Sequence, residues 1–358
     1  MNAPGLKILL LADSRSFHTE RYVDELRRQN CDVLTASLES GIMPHRELRR
    51  RGPFRSLHYA LAAAEVRKLI DSFQPDVVNP HFASGYGFTA ALAERRKSQP
   101  ILLNLWGSDI LLAARKSVFH RRKTGLALKA ADFVIGDSDY LLDEAEKIQR
   151  IQNRRTIAWG IERGYLEFRR PRTTFGVPLR VLVPRPHEAV YNNMFIVRAL
   201  ADPANSGHIE LTLPDFGGLV EDFRAGASRL INKGLNFYQK MTRRDYLKFA
   251  AEHDVYLSAA RSDSSPVSLL EAMGLGLIPV AGDIPGVREW LDSDAGFLFD
   301  LTSESSLHEA ITKLLAGGSD FDAMRRRNLE RIEKKAIFED NVAETITIMQ
   351  ELVAGRCS

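Results

Sequence analysis

Two carboxylates, Asp263 and Glu271, stand at either side of SSPVSLL within the run 257–289. The apolar residues 255–257 read as a buried strand and 262–265 as a polar loop. Pro266 sits where a helix would begin, with Ser265 as its N-cap. That helix would carry Leu269, Leu270, Ala272 and Met273, stop at Gly274 or Gly276, and lead into a strand over 277–281. Strand, loop, helix, strand is the unit of a parallel sheet. The loop falls at the carboxyl end of its strand, where open α/β sheets take ligands. Free N–H groups and the positive end of a helix dipole suit a phosphate. Carboxylates beside them can accept hydrogen bonds from hydroxyls. A site offering both suits a nucleotide sugar.

Arg185 follows a second strand, 180–183, and could bond a diphosphate while negative charge builds on it as a leaving group. Ser264, Ser265, Pro266, Val267 and Ser268 form the loop and helix start, with amides and hydroxyls for phosphate or sugar. Glu271 would accept from ribose hydroxyls and Asp263 from the transferred sugar. The competing assignments are a surface arginine, a solvent-facing helix glutamate and a capping aspartate. The apolar neighbours Leu270, Ala272 and Met273 argue against a solvent-facing Glu271. In the first half of the chain, Ser16, His18, His81, Trp106, Ser108 and Asp109 fall in loops or at strand ends and are candidates for contacting an acceptor. Helix capping by Ser108 and a structural histidine at 81 are the alternatives. Asp137-Ser-Asp139 has the form of a metal-binding pair of aspartates, but it lies between a strand and a helix, where capping explains it. No metal is expected, because Arg185 and a helix terminus supply the electrostatics.

These groups need a scaffold. Strands are expected at 7–13, 32–35, 77–79, 101–106, 133–136 and 156–159, alternating with helices that include 20–29, capped by Thr19, 58–73, and 140–150, capped by Asp139. The 58–73 helix shows apolar residues at helical spacing. Charged, proline-bearing 165–178 reads as a linker. A second series follows, with strands at 180–183, 210–213, 235–238, 255–257, 277–281 and 297–299 and helices at 192–200, near 218–225, from Thr242, and over 304–316, 320–334 and 339–354. The expected class is α/β with two doubly wound domains: 1–170, 171–338 and a terminal helix 339–358 that could cross back.

At 358 residues the chain exceeds the roughly 250–300 that one core supports. No apolar run reaches the length of a membrane span, the start lacks the features of a signal peptide, and two cysteines are too few for a disulfide framework or a zinc site. A cytoplasmic enzyme is the simplest expectation. The net charge of +3 hides an asymmetry: residues 1–172 hold 29 basic against 20 acidic side chains, a balance of +9, and the rest 20 against 26, a balance of −6. Basic segments at 46–55 and 115–123 suit an anionic acceptor or a membrane surface. They lack interleaved aromatics and a known module, which argues against nucleic acid.

The arrangement resembles the GT-B glycosyltransferases, specifically the retaining family 4 group. That family's motif is a glutamate, seven residues and a second glutamate, the second opening the run EAMAxGxPVV; here Asp263-SSPVSLL-Glu271 runs into AMGLGLIPV. WGSD at 106–109 is similar to the family's HGSD, AWGIE at 158–162 to its segment before the linker, and VPRPHEAVYNN at 183–193 to the arginine segment opening the second domain. The first carboxylate is Asp, one methylene shorter. Val190 stands where the family places a lysine, and Tyr191 and Asn192 follow it, as in a subgroup with PR…YN. The glycine pair after the first strand is replaced by SRSFHTERY. The resemblance implies two Rossmann-like domains facing a cleft, and a metal-independent transferase without a cofactor, the nucleotide sugar being a co-substrate. The sugar would pass to a hydroxyl of a glycan, lipid-linked or small-molecule acceptor, with peripheral contact at the inner membrane face. It implies catalytic and donor-binding roles for Arg185, Asp263 and Glu271, with Tyr191 and Asn192 replacing the lysine. A nucleotide-sugar 2-epimerase and a non-catalytic sugar-nucleotide-binding subunit share the architecture.

Overall fold

The computed structural model describes residues 5–41, 43–94, 99–170, 175–317 and 320–357. The middle of the expected linker, 171–174, lies outside them, as do the chain's first four residues and Ser358. The chain divides into two compact units, 1–158 with 339–358, and 159–338.

In unit 1 the strands are β1 (Lys7–Leu11), β2 (Asp32–Ser37), β3 (Arg46–Glu47), β4 (Val77–Pro80), β5 (Leu102–Asn104), β6 (Phe133–Gly136) and β7 (Arg154–Thr156). They pair in parallel in the orders β3-β2-β1-β4 and β5-β6-β7. Parallel bridges Val78↔Ile101 and His81↔Asn104 bring the two sets side by side. β1 shows why the strands lie at the centre. Ile8, Leu9, Leu10 and Leu11 are all fully buried, as expected of a parallel strand covered on both faces. Helix Arg55–Phe73 packs Ala62, Val66 and Ile70 on one side, and helix Val118–Ala130 adds Ala127 and Leu128 to a second cluster.

Unit 2 holds β8 (Leu179–Leu182), β9 (Ile209–Pro214), β10 (Leu235–Tyr238), β11 (Val255–Ser258), β12 (Ile278–Gly282) and β13 (Phe297–Phe299). Their order is β10-β9-β8-β11-β12-β13, all parallel. Strand order reverses between β8 and β11, so the carboxyl ends of these two strands flank the crevice where such sheets bind ligands.

Several local expectations shift. The first helix is Phe17–Arg28 with Ser16 at its N-cap, so Thr19 lies inside it. Ser138 caps helix Asp139–Glu146 by accepting from the Leu141 amide, and Asp139 is its first residue. The seventh strand is Arg154–Thr156, earlier than 156–159. FASGYG at 82–87 forms one π-helical turn before helix Phe88–Ala93. Most of the expected linker's start is ordered structure: Arg163–Phe168 is a 3-10 helix that packs on helix Val267–Leu275. Among the described residues no helix is long and apolar enough to cross a membrane.

Candidate functional site

The carboxyl ends of β8 and β11 bring together what the sequence separates by some eighty positions. Arg185 follows β8 and forms a salt bridge with Asp263, which follows β11. Both side chains remain partly exposed, at 17% and 18%. Tyr191 lies under the Arg185 guanidinium, 4.7 Å from ring centre to Cζ. The Nε of Arg185 has no hydrogen-bond partner although it is shielded from solvent. A donor so placed can be satisfied by an incoming oxyanion. Below it the turn is held by Asn193, whose amide donates to the carbonyl of Arg185 at 3.0 Å. Asn192 takes a left-handed conformation, φ 54°, and accepts from Arg261 at 3.1 Å.

Helix Val267–Leu275 starts after Pro266, which occupies the N-cap position without a capping side chain. This corrects Ser265 as the cap: its hydroxyl instead accepts from Trp290 Nε1 at 2.9 Å, and the side chain is buried. Ser264 is buried too, and its amide donates to the Asp263 carboxylate at 3.1 Å. Ser268 exchanges a bond with the Tyr256 hydroxyl at 3.2 Å. The uncapped first turn, at Val267 and Ser268, therefore holds N–H groups that have no partner within their own helix. Gly286 presses on the loop from behind. A Cβ there would stand 2.2 Å from the Ser264 carbonyl oxygen and 2.5 Å from that of Asp263.

Glu271 is buried and forms a salt bridge with Arg243, at the start of helix Arg243–Ala250 just beyond β10. Arg243 also donates from Nε to the Tyr165 hydroxyl at 2.9 Å and lies over the rings of Tyr165 and Tyr246, at 4.8 and 5.3 Å. Burial pushes the Tyr246 hydroxyl up to about 12, with Arg243 and Arg185 both pulling it down. The sequence reading missed Arg243 and Tyr165. The available signal was position, since Thr242-Arg243 follows the carboxyl end of a parallel strand.

In unit 1, Ser108 is exposed, while Asp109 is only 1% exposed and does not offer its carboxylate to an acceptor. That carboxylate accepts from the amides of Ala83, at 2.7 Å, and Trp106, at 3.1 Å, and burial raises its pKa. Asp109 ties the WGSD turn to the turn after β4. His81 is also corrected as a contact residue. It is fully buried against Tyr22 and Trp106, and burial pushes its pKa down to about 3, leaving it neutral. His18 packs on Trp106, which stacks on Phe82 at 5.2 Å. Ser16 is half-buried and makes no capping bond with its side chain.

Residues 7–138 match the Glycosyl transferase 4-like family and residues 224–335 the Glycosyl transferases group 1 family. The chain belongs to the GT-B glycosyltransferases. Among the relatives of this glycosyltransferase is TuaC of Bacillus subtilis (strain 168), whose name assigns it to teichuronic acid biosynthesis. The two are 24% identical over 332 residues, 86% of this chain and 80% of the relative. The fold matches sucrose-phosphate synthase from Thermosynechococcus elongatus with a TM-score of 0.83 at 13% identity, over 98% and 100% of the two chains. It also matches Anabaena Alr3699/HepE, solved in complex with UDP, with a TM-score of 0.78 at 15% identity, over 96% and 99%. In this transferase the motif's two carboxylates are both held by arginines.

Proposed function

We propose that this transferase is retaining and needs no metal ion, and that it moves a sugar from a nucleotide diphosphate sugar to an acceptor hydroxyl in assembling a polysaccharide or glycolipid. The observation that carries the proposal is the pair of arginine–carboxylate contacts, Arg185–Asp263 and Arg243–Glu271, gathered beside an uncapped helix start at the carboxyl end of a parallel sheet. An incoming diphosphate exchanges Asp263 for itself on Arg185 and meets the N–H groups of Val267 and Ser268. Asp263 is then released to accept from hydroxyls of the sugar, and Glu271 to accept from the ribose. Arg243 supplies the second positive charge, which the family takes from a lysine where Val190 stands here. As the glycosidic bond to phosphate breaks, charge grows on the diphosphate, and the fixed guanidinium and amides stabilise it. A phosphate oxygen of the leaving group accepts the proton of the incoming hydroxyl, which attacks from the face just vacated. No protein base is then needed. The resemblance to TuaC supports the polysaccharide setting, and the UDP held by HepE supports a uridine donor.

The test is turnover of UDP- and GDP-sugars by the wild type, Arg185→Ala and Glu271→Ala. Each variant should lose about 100-fold or more in kcat/KM, and EDTA should leave the wild type unchanged. Variants near wild type would show that the site is elsewhere. A product of inverted anomeric configuration would overturn the retaining step. Conversion of the donor sugar without acceptor would favour an epimerase.

A further inference from the structure

The segment that opens unit 2 carries a glutamate and a tyrosine at i and i+3, Glu162 and Tyr165. Glu162 is the N-cap residue of the 3-10 helix Arg163–Phe168, and Tyr165 follows within it. Side chains at that spacing in a 3-10 helix stand over one another. Here they meet: the Tyr165 hydroxyl donates to the Glu162 carboxylate at 3.0 Å. The 3-10 helix packs on helix Val267–Leu275, which carries Glu271, and on helix Arg243–Ala250, which begins with Arg243. Tyr165 is buried there.

A phenol has one proton, and its oxygen can also accept. Because the Tyr165 proton points to Glu162, the oxygen turns its lone pairs to a donor, and Arg243 Nε supplies one at 2.9 Å. A phenol with a carboxylate on one side and a guanidinium on the other makes two charge-assisted bonds. Arg243 is held at further points. Its Nη2 forms the salt bridge with Glu271, and its Cζ stands over the rings of Tyr165 and Tyr246 at 4.8 and 5.3 Å. Glu162, Tyr165, Arg243 and Glu271 thus form a chain from the 3-10 helix to the motif helix. The two holds on Arg243 fare differently when a donor enters. Glu271 turns to the ribose in the proposed reaction, so its hold on Nη2 is given up. The bond from Nε to Tyr165 takes no part in that exchange. It keeps the guanidinium in place while the diphosphate arrives. An arginine without such a hold would have to surrender its rotamer freedom on binding, and pre-organisation avoids that loss.

We infer that Tyr165 and Glu162 are positioning residues of the donor site: Tyr165 fixes Arg243 for the diphosphate, and Glu162 fixes the direction of the Tyr165 hydroxyl. The inference rests on the donor site proposed above and adds two residues to it. Neither touches the reacting atoms; both act through Arg243. The segment with which the chain enters unit 2 therefore helps to set donor affinity. A change at Glu162 is felt as a change in the hold on the diphosphate.

The experiment is calorimetry on the full chain with UDP, GDP, uridine and guanosine. The proteins are the wild type, Tyr165→Phe, Glu162→Gln, Arg243→Met and the double variant of Tyr165→Phe with Arg243→Met. Tyr165→Phe keeps the ring and its packing, and circular dichroism checks the fold. It should weaken the diphosphate that the wild type prefers by about tenfold and leave the matching nucleoside within about twofold. Glu162→Gln should act in the same direction by a smaller factor; an unchanged Glu162→Gln removes Glu162 from the chain. In the Arg243→Met background, Tyr165→Phe should alter diphosphate affinity by less than about twofold, because nothing is left for it to position. A merely structural role would lower nucleoside and diphosphate binding alike and would add to the loss in Arg243→Met. Either of those results, or an unchanged diphosphate affinity in Tyr165→Phe, overturns the inference. A wild type that binds neither diphosphate overturns the donor site and this inference with it. A wild type that binds, beside a Tyr165→Phe that binds equally well, removes the positioning role and leaves the donor site standing.

Discussion

Arg243 changes how the donor site is understood at the scale of single residues. A buried glutamate without a partner would be costly, and Arg243 is what allows Glu271 to remain charged on an otherwise apolar helix face. Arg243→Met keeps the apolar stem over Tyr165 and Tyr246 but removes the charge. We expect a stability loss of about 2–3 kcal/mol in urea denaturation, below the 3–5 typical of a fully buried pair because the guanidinium is 30% exposed. Adding Glu271→Gln should recover most of that stability and none of the nucleotide affinity. If the double variant is no more stable than the single one, the pair is not what holds Glu271. Arg185, Asp263 and Glu271 were legible in the sequence because each follows a strand or lies on the motif helix at fixed spacing. Arg243 was not, because its link to Glu271 runs between two helices that only the tertiary fold makes neighbours. His81 misled for a related reason: a strand-end histidine can point into the core or out of it, and sequence carries no sign of which.

Elements, rather than single residues, set the position of the loop over 260–266. Trp290 holds it through Ser265, and Gly286 leaves no room behind it. Gly286→Ala has no alternative space, because the obstructing atoms are backbone oxygens. The loop must move by about an ångström, and displacement of that size at a reacting site can cost about 100-fold. We therefore expect UDP affinity to fall by about tenfold or more with the fold retained, measured by calorimetry and circular dichroism. Unchanged affinity would mean that the loop does not touch the nucleotide. The parallel strands were legible as continuous apolar runs, since burial on both faces leaves little polar residue in them. Caps were less so. Thr19, Asp139 and Ser265 all have capping chemistry, yet Ser16, Ser138 and Pro266 occupy the positions, because a shift of one to three residues leaves the local pattern almost the same.

Over the whole molecule, the last helix, Phe338–Cys357, belongs almost entirely with unit 1. Val342, Ile346, Ile348 and Met349 are buried, Asn341 donates to the Ala158 carbonyl at 2.7 Å, and Arg155 pairs with Glu344 at 2.9 Å. Met349→Ala should destabilise unit 1 by about 2–5 kcal/mol and leave UDP binding by unit 2 within twofold. Parallel loss of both would show that the units unfold together. The sequence suggested a helix that could return, but its docking depends on residues 183 and 189 positions away and could not be read locally.

The strand bridge of unit 2 to itself lies just inside both crossings. Ile161 receives from the amide of Phe338 and donates to the carbonyl of Ala336, both at 2.8 Å. Gly160, at φ 64°, has a backbone that a side chain would drive into Ala336. Unit 2 is therefore an insertion whose two ends are fastened together, and this bears on assembly. Before unit 2 folds, the last helix can reach unit 1 only by closing a loop that contains the whole of residues 161–337, at an entropic cost on the order of 4–5 kcal/mol. Once Ile161 and Ile337 are paired, unit 2 has already met that cost, and the last helix emerges beside the segment that leads out of unit 1. Unit 2 thus acts as a staple for the completion of its host.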